Sequence, residues 1–367
     1  MITKEMINPG RRILAVDVGT GTQDILVFEE AKNPENCIKM VLPAMTQVLA
    51  KRVREIQGDI FLPGETMGGG PVAFALKEHV KKGHRVVMTE TAARTIRDNL
   101  EEVREAGIEV VRDRSRPEGF QVVETMDVDF QIIPDLLDAV EEPFEFDYVG
   151  VAVQDHGYSE GVSDRVFRFQ NFRRAVDSGA RLEDLMYQDP PSYFSRMAGV
   201  LRTVKRSFQG PAFVVDTKIA AMAGAFYTSR TKPGMVMAVD VGNGHTTAAI
   251  ISREARIEGV YEHHTSALTR EKLEEHLRGF VEKTLTNRDV LEDGGHGCYN
   301  SRALGMEDIE AVLVTGPRRR LLTGSKTIDT VSPAPYGDVM MTGTAGIVEM
   351  ILKRVEKGDM VQLRKEA

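Results

Sequence analysis

The chain has 367 residues, 42% of them apolar and 28% charged, with a formal net charge of −8. That composition belongs to a folded protein with room for two or three domains, and its acidic balance argues against a general nucleic-acid binder, which needs a basic face. The basic clusters at Arg202, Lys205 and Arg206 and at Arg318, Arg319 and Arg320 are too short to supply one. No apolar run reaches the ~20 residues of a bilayer span, and Met1 to Arg12 lacks the apolar core of a signal peptide. Two cysteines, Cys37 and Cys298, provide neither a disulfide framework nor a zinc finger, so a cytoplasmic location and no membrane contact are expected.

In chain order, the first informative element is the apolar run Ile13 to Val16, read as a buried strand. A glycine-rich turn and a second strand, Ile25 to Phe28, follow it. Gly68-Gly69-Gly70-Pro71 then enters a helix predicted from Val72 to Lys82. Proline in the first turn with glycines before it suits a helix end that accepts an anion, and equally a flexible entry loop. A strand at Arg85–Met88 leads to a helix over Glu90 to Ala106, capped by Thr89 or Thr91 and closed at Gly107. Next come a strand at Ile108–Val111, a helix at Leu136–Glu141, and a strand at Tyr148–Val153 that ends in Gln154-Asp155-His156-Gly157. The strand Ala212–Val215 is followed by a helix rich in small residues. After a second strand–turn–strand unit, the pattern gives an amphipathic helix at Thr269–Thr284 and a glycine-rich loop from Asn287 to Arg302. A strand at Ala311–Val314 and a last helix at Thr342–Val355 complete the chain. The alternation predicts a mostly α/β protein.

The strand–turn–strand unit is repeated. Residues 15–21 read AVDVGTG and residues 238–244 read AVDVGNG, six of seven letters alike. Turns lacking Cβ atoms let backbone N–H groups approach an anion. Gly19 and Gly21 in one copy and Gly242 and Gly244 in the other supply that feature. Thr20, Thr22, Thr246 and Thr247 add hydroxyls, and Asn243 and His245 sit at the second loop. Asp17 and Asp240 end the preceding strands, where two carboxylates across a cleft could hold Mg²⁺. One such turn is compatible with an ordinary tight hairpin; two matching copies predict paired phosphate loops. The order of Gly324-Ser325-Lys326-Thr327 does not make a Walker loop, and Asp24 stands where a dinucleotide fingerprint needs its third glycine.

On these motifs the chain resembles the actin-like ATPase superfamily of actin, heat-shock chaperones and sugar kinases. Asp17 to Gln23 and Asp240 to Thr247 look like its two phosphate loops. Val214 to Ala225 and Asp338 to Val348 look like its two connecting helices, and Leu313 to Pro317, with Gly316, like its adenosine strand and turn. The resemblance implies duplicated ribonuclease-H-like α/β domains around a nucleotide cleft, with ATP and Mg²⁺ as cofactors. It implies a first domain over 1–226 with inserted α/β segments, a second over 227–341, and a C-terminal helix over 342–367 returning to the first. More narrowly, Gly64 to Pro71, Val153 to Gly157 and Gly294 to Cys298 resemble a prokaryotic family often labelled pyruvate formate-lyase activating enzyme. A radical activase needs three cysteines for its cluster, which this chain does not have.

Gln154 to Gly157 is similar to the Q-x-H-G after the equivalent strand of pentulose-type sugar kinases, which implies a substrate-facing His156. Asp216 lies where such kinases carry a catalytic base, and it equally suits a helix N-cap. The expected activity is phosphotransfer or ATP hydrolysis, with Asp17, Asp155, His156 and Asp216 as catalytic candidates and Gly68, Gly69, Gly70 and His296 near the acceptor. The alternatives are an ATP-driven activator of a partner redox or radical enzyme, and an actin-like or chaperone-like binding protein. A homodimer is left open. His296-x-Cys298, with His245, His263 and His264, does not have the spacing of a single-metal chelate, so a loop histidine is the expectation there.

Overall fold

The computed structural model describes residues 10–229 and 234–358. Most of the polar start, residues 1–9, and the end of the C-terminal segment, residues 359–367, lie outside them. The strands are β1 (Arg12–Val18), β2 (Thr22–Glu29), β3 (Ile38–Pro43), β4 (Ile60–Leu62), β5 (Val86–Thr89), β6 (Glu109–Val111), β7 (Gln121–Val122) and β8 (Tyr148–Val153). They continue with β9 (Met186–Tyr187), β10 (Ala212–Asp216), β11 (Met235–Val241), β12 (His245–Ile251), β13 (Ile257–His264), β14 (Gly297–Asn300), β15 (Ile309–Thr315) and β16 (Thr330–Val331).

Two six-stranded sheets have one plan. The first runs β3-β2-β1-β8-β10-β9 and the second β14-β13-β12-β11-β15-β16. In each, three strands form an antiparallel meander whose first member then pairs in parallel with a later strand, which in turn has a parallel neighbour. That is the ribonuclease-H-like order, present twice, and it makes the chain a duplicated α/β fold of the actin-like ATPase type. The central strands are buried along almost their whole length, as expected for strands covered on both faces. A third sheet, β6-β5-β4-β7, is fully parallel and inserted between β3 and β8. Glu65 fastens it to the first sheet's helix Ser195–Ser207, accepting from Arg202 at 2.7 Å and Arg206 at 2.8 Å. This employs two members of one basic cluster.

The connecting helices Thr217–Tyr227 and Thr342–Glu356 cross between the two large sheets. Their backbones touch: a Cβ on Gly224 would land on the Thr342 carbonyl, and one on Gly346 on the Ala220 carbonyl. Small residues are required here by space. No helix among the described residues is long and apolar enough to cross a membrane.

Two sequence expectations change. The helix expected over Glu90 to Ala106 is two short helices, Glu90–Ala93 and Leu100–Glu105, each with its own cap, Thr89 and Asn99. The break serves the cleft: the Thr95 hydroxyl accepts from the Met67 amide at 3.1 Å, just ahead of the triple glycine. The segment expected as a loop over Asn287 to Arg302 contains helix Asn287–Glu292 and edge strand β14, whose partner β13 was not visible from local pattern.

Candidate functional site

The two glycine loops face one another in a cleft of about 440 Å³, within the range of small-molecule sites. Each loop closes with the same backbone bond, Gly19 N–H to Thr22 O at 2.8 Å and Gly242 N–H to His245 O at 3.0 Å. The tips nearly meet, since a Cβ on Gly21 would lie 3.7 Å from Asn243 Nδ2. At Gly242 a Cβ would come within 2.8 Å of both the His245 carbonyl and Lys218 Nζ. Asp17, Gly19, Thr20, Gly21, Thr22, Asp240, Gly242, Asn243, Gly244 and His245 line this cleft. Gly316 does too, as do Gly68, Gly69, Gly70 and His156. Gly316 has φ +93°, and a Cβ there would lie 2.6 Å from Asp240 Oδ1, so the turn needs glycine twice over.

The electrostatics of the two aspartates differ. Lys218, buried in the first turn of the first connecting helix, donates to Asp240 Oδ2 at 2.6 Å and to the His245 carbonyl at 3.0 Å. Asp17 has only a hydroxyl partner, Thr217 Oγ1 at 2.6 Å. Enclosure pushes the Asp17 carboxyl up to about 8, against the Thr217 bond, and the charges of Asp24 and Asp240 add to the rise. Asp24, beside it, is pushed up to about 7, chiefly by burial, and its Oδ1 has no partner. Three carboxylates thus share one end of the cleft with a single ammonium group. This donor set fits a hard divalent cation, whose charge would relieve them.

Five residues expected at the site are employed elsewhere. Asp155 does not reach the cleft; its carboxylate accepts from the amides of Gly157, Arg196 and Met197 at 2.9–3.0 Å and so caps helix Ser195–Ser207. Asp216 caps the first connecting helix through the Lys218 amide and is gripped by Arg168 at 2.7 and 3.1 Å. Neither carboxylate is free to accept a proton from a substrate in the cleft. Thr246 is fully buried against Thr265, 3.0 Å between hydroxyls, because strand alternation turns it away from the loop. Thr247, on the opposite face of the strand, is taken up by Glu262 at 3.4 Å. His296 is buried behind the second loop rather than in the cleft.

Sequence reasoning missed three cationic residues. Lys218 stands out only in retrospect, as one charge in a helix of small apolar residues. Arg196 lines the cleft, held by Asp127 at 2.7 and 2.8 Å and by the Gln154 carbonyl at 2.7 Å. Arg168 is completely enclosed and grips Asp216 of the first sheet and Glu262 of the second, the latter at 3.0–3.2 Å. Burial alone would raise the Glu262 pKa, but Arg168 holds it well below the usual carboxylate range. No local motif could have announced a pairing of residues so far apart in sequence.

Residues 67–321 match the model of the family described as "Putative pyruvate format-lyase activating enzyme (DUF1786)". The chain belongs to this family. The matched stretch takes in the triple glycine, Gln154 to Gly157 and the second loop, while the first loop precedes it. None of the curated proteins matches the chain in sequence. Among solved structures it is similar to the activator of the 2-hydroxyisocaproyl-CoA dehydratase from Clostridium difficile with bound ADPNP, at 9% identity, 94% of this chain, 97% of that one and a TM-score of 0.32. It is also similar to MreB5 of Spiroplasma citri bound to ADP, at 10% identity, 95% of this chain, 98% of that one and a TM-score of 0.35. A third is the ethanolamine utilization protein EutJ from Carboxydothermus hydrogenoformans, at 14%, 94%, 93% and 0.28. Likenesses this distant carry nothing about activity, and the fold rests on the chain's own sheet order.

Proposed function

We propose that the chain binds Mg-ATP between its two loops and cleaves the terminal phosphate, with water or a small molecule as acceptor. The observation that supports this most is the pair of Asp17 and Asp240, set at matched strand ends across one cleft, with too little positive charge to balance them and Asp24. The loops would present backbone N–H groups to the phosphates, and Lys218 would add its charge where negative charge builds up. The bound ion would neutralise phosphate oxygens. Gly316 and its neighbours would receive the nucleoside, and Gly68–Gly70, His156 and Arg196 would border the acceptor. Asp155 and Asp216 are occupied, and Asp127 is clamped by Arg196. This lack of a free carboxylate on the acceptor side among the described residues favours hydrolysis over a kinase reaction.

Residues 1–226 and 227–341 would be the moving lobes, with 342–367 returning to the first. Such a motion supports a second reading, prompted by the family's description: nucleotide-driven activation of a partner enzyme. Two buried cysteines, on β14 and beside β3, cannot hold a four-iron cluster within one chain, so any activation would act through shape.

The test is thermal unfolding with and without Mg-ATP, alongside phosphate release. A ligand at a hundredfold excess over Kd stabilises by about 2.7 kcal/mol. A clear rise in the wild type that vanishes in the Asp17→Asn/Asp240→Asn double variant is expected. No rise with any nucleotide at millimolar concentration would overturn the reading.

A further inference from the structure

Behind the second loop the structure gathers three histidines that the sequence scatters. His245 opens β12, His264 ends β13 directly opposite it in register, and His296 precedes β14, its amide held by the Glu262 carbonyl at 2.9 Å. Each offers a ring nitrogen, and these atoms lie within 4.8 Å of one another. The rings form a near-equilateral triangle, with centroids 4.9 Å apart for His245 and His264, 4.6 Å for His245 and His296, and 4.7 Å for His264 and His296.

We propose that His245, His264 and His296 bind one divalent first-row transition-metal ion, of the zinc or iron(II) class. The second observation behind this is His296 itself. It is 2% exposed, and its Nδ1 is buried with no hydrogen-bond partner. A buried ring nitrogen left unpaired is costly, and a metal ion is the partner its neighbours are placed to share. The opposite nitrogen, Nε2, lies 3.9 Å from Glu262 Oε1, which Arg168 holds in place. That is beyond hydrogen-bond distance, but the negative carboxylate favours the proton on Nε2 and so leaves the lone pair on Nδ1. On His245, Nδ1 lies 3.3 Å from the Gln154 side-chain amide. The amide nitrogen Nε2 of Gln154 donates there, so an ion held at His245 Nε2 would require the amide to turn over and Nδ1 to donate to its oxygen.

The site is also prepared in its charge state. Burial, above all, pushes His245 down to about 3 and His296 to about 4, and lowers His264. Three imidazoles select zinc, iron(II) or cobalt over magnesium or calcium, which prefer oxygen. Thiolate ligation is absent, since Cys298 Sγ turns to the Leu285 carbonyl at 3.6 Å. Tetrahedral Zn–N bonds of ~2.0–2.1 Å bring ligand nitrogens to about 3.3 Å apart, so the rings would draw in slightly on binding. Only His245 of the three lines the cleft, so the ion would stand in the cleft wall, beside His156.

This site is independent of the nucleotide reading and is tested without nucleotide. The Asp17→Asn/Asp240→Asn variant of the full chain, freed of metal by chelation, is titrated with Co²⁺ and then Zn²⁺. One equivalent of Co²⁺ with visible d–d bands, bleached by Zn²⁺, is expected. His84→Ala in that background, a ring beside His79 just ahead of β5 and outside the trio, should titrate identically. His245→Ala, His264→Ala and His296→Ala should each lose at least the roughly 10–100-fold in affinity that removal of even an outer-shell partner costs. Far-UV circular dichroism checks their folding. The absence of d–d bands in the parent protein would overturn the proposal whatever the alanine variants do. So would unchanged affinity in all three.

Discussion

The two glycine loops are near-copies in sequence, yet their aspartates live in different fields. Asp240 has a buried ammonium 2.6 Å away, whereas Asp17 has a hydroxyl, an Asp24 nearby whose Oδ1 has no partner, and the second connecting helix pressed on it so closely that Gly343 has no room for a Cβ. Identical letters at a strand end therefore set the position of a carboxylate without setting its charge state. That depends on what the rest of the chain brings alongside: Lys218 in one case, more carboxylates in the other. The asymmetry suits a cleft in which one aspartate is already compensated and the other needs a cation.

The largest way to break this comparison is to remove the tie between the halves that carry the loops. Arg168→Ala would leave Asp216 and Glu262 buried and unpaired, and should cost at least the ~3–5 kcal/mol of a broken buried pair. Denaturant unfolding measures it. Lys218→Met should cost slightly less, about 3 kcal/mol, because it strands only Asp240. It should also make the second loop resemble the first, with an aspartate that has no cation beside it.

The sharpest comparison sets Asp17→Asn against Asp240→Asn in protein without ligand. Asp240→Asn strands the Lys218 charge and should lower the melting temperature. Asp17→Asn removes the cost of keeping an enclosed carboxyl protonated and should raise it by a few degrees. Folded Asp17 holds its proton up to about 8, whereas the ordinary value is 3.8. Between those values the unfolded chain has lost a proton that the folded chain keeps, so wild-type stability falls as pH rises. The advantage of Asp17→Asn should therefore be absent near pH 3.5, grow through that window and level off above it. Equal behaviour of the two variants would show that the loops are electrostatically alike. The smallest effect is expected from Thr217→Val, which removes the one bond to Asp17 and should cost about 1 kcal/mol, with Mg-ATP stabilisation reduced rather than abolished.

The parts of the molecule that were legible early are local ones. Strand, turn and strand sit within about fifteen residues, and glycine spacing and apolar runs report them directly. The small-residue faces of the connecting helices were equally readable, because a close crossing demands short side chains wherever the partner lies. Local pattern leaves the use of Asp155 and Asp216 open for a related reason: a carboxylate at the end of a buried strand looks the same whether it faces a substrate or caps a helix. Only the neighbouring amides and Arg168 distinguish the two uses.

By itself the sequence determined the repeated hairpins, the α/β class, the position of both aspartates and the tight crossing of two helices. Each of these follows from backbone geometry and residue size over short stretches. The tertiary structure alone decided the rest: that Lys218 serves one aspartate, that Arg168 joins the two halves, and that His245, His264 and His296 meet. Charge balance and ligand sets are properties of neighbours in space, and here those neighbours are brought together by sheet register and domain packing, which leave no spacing in the chain to be read.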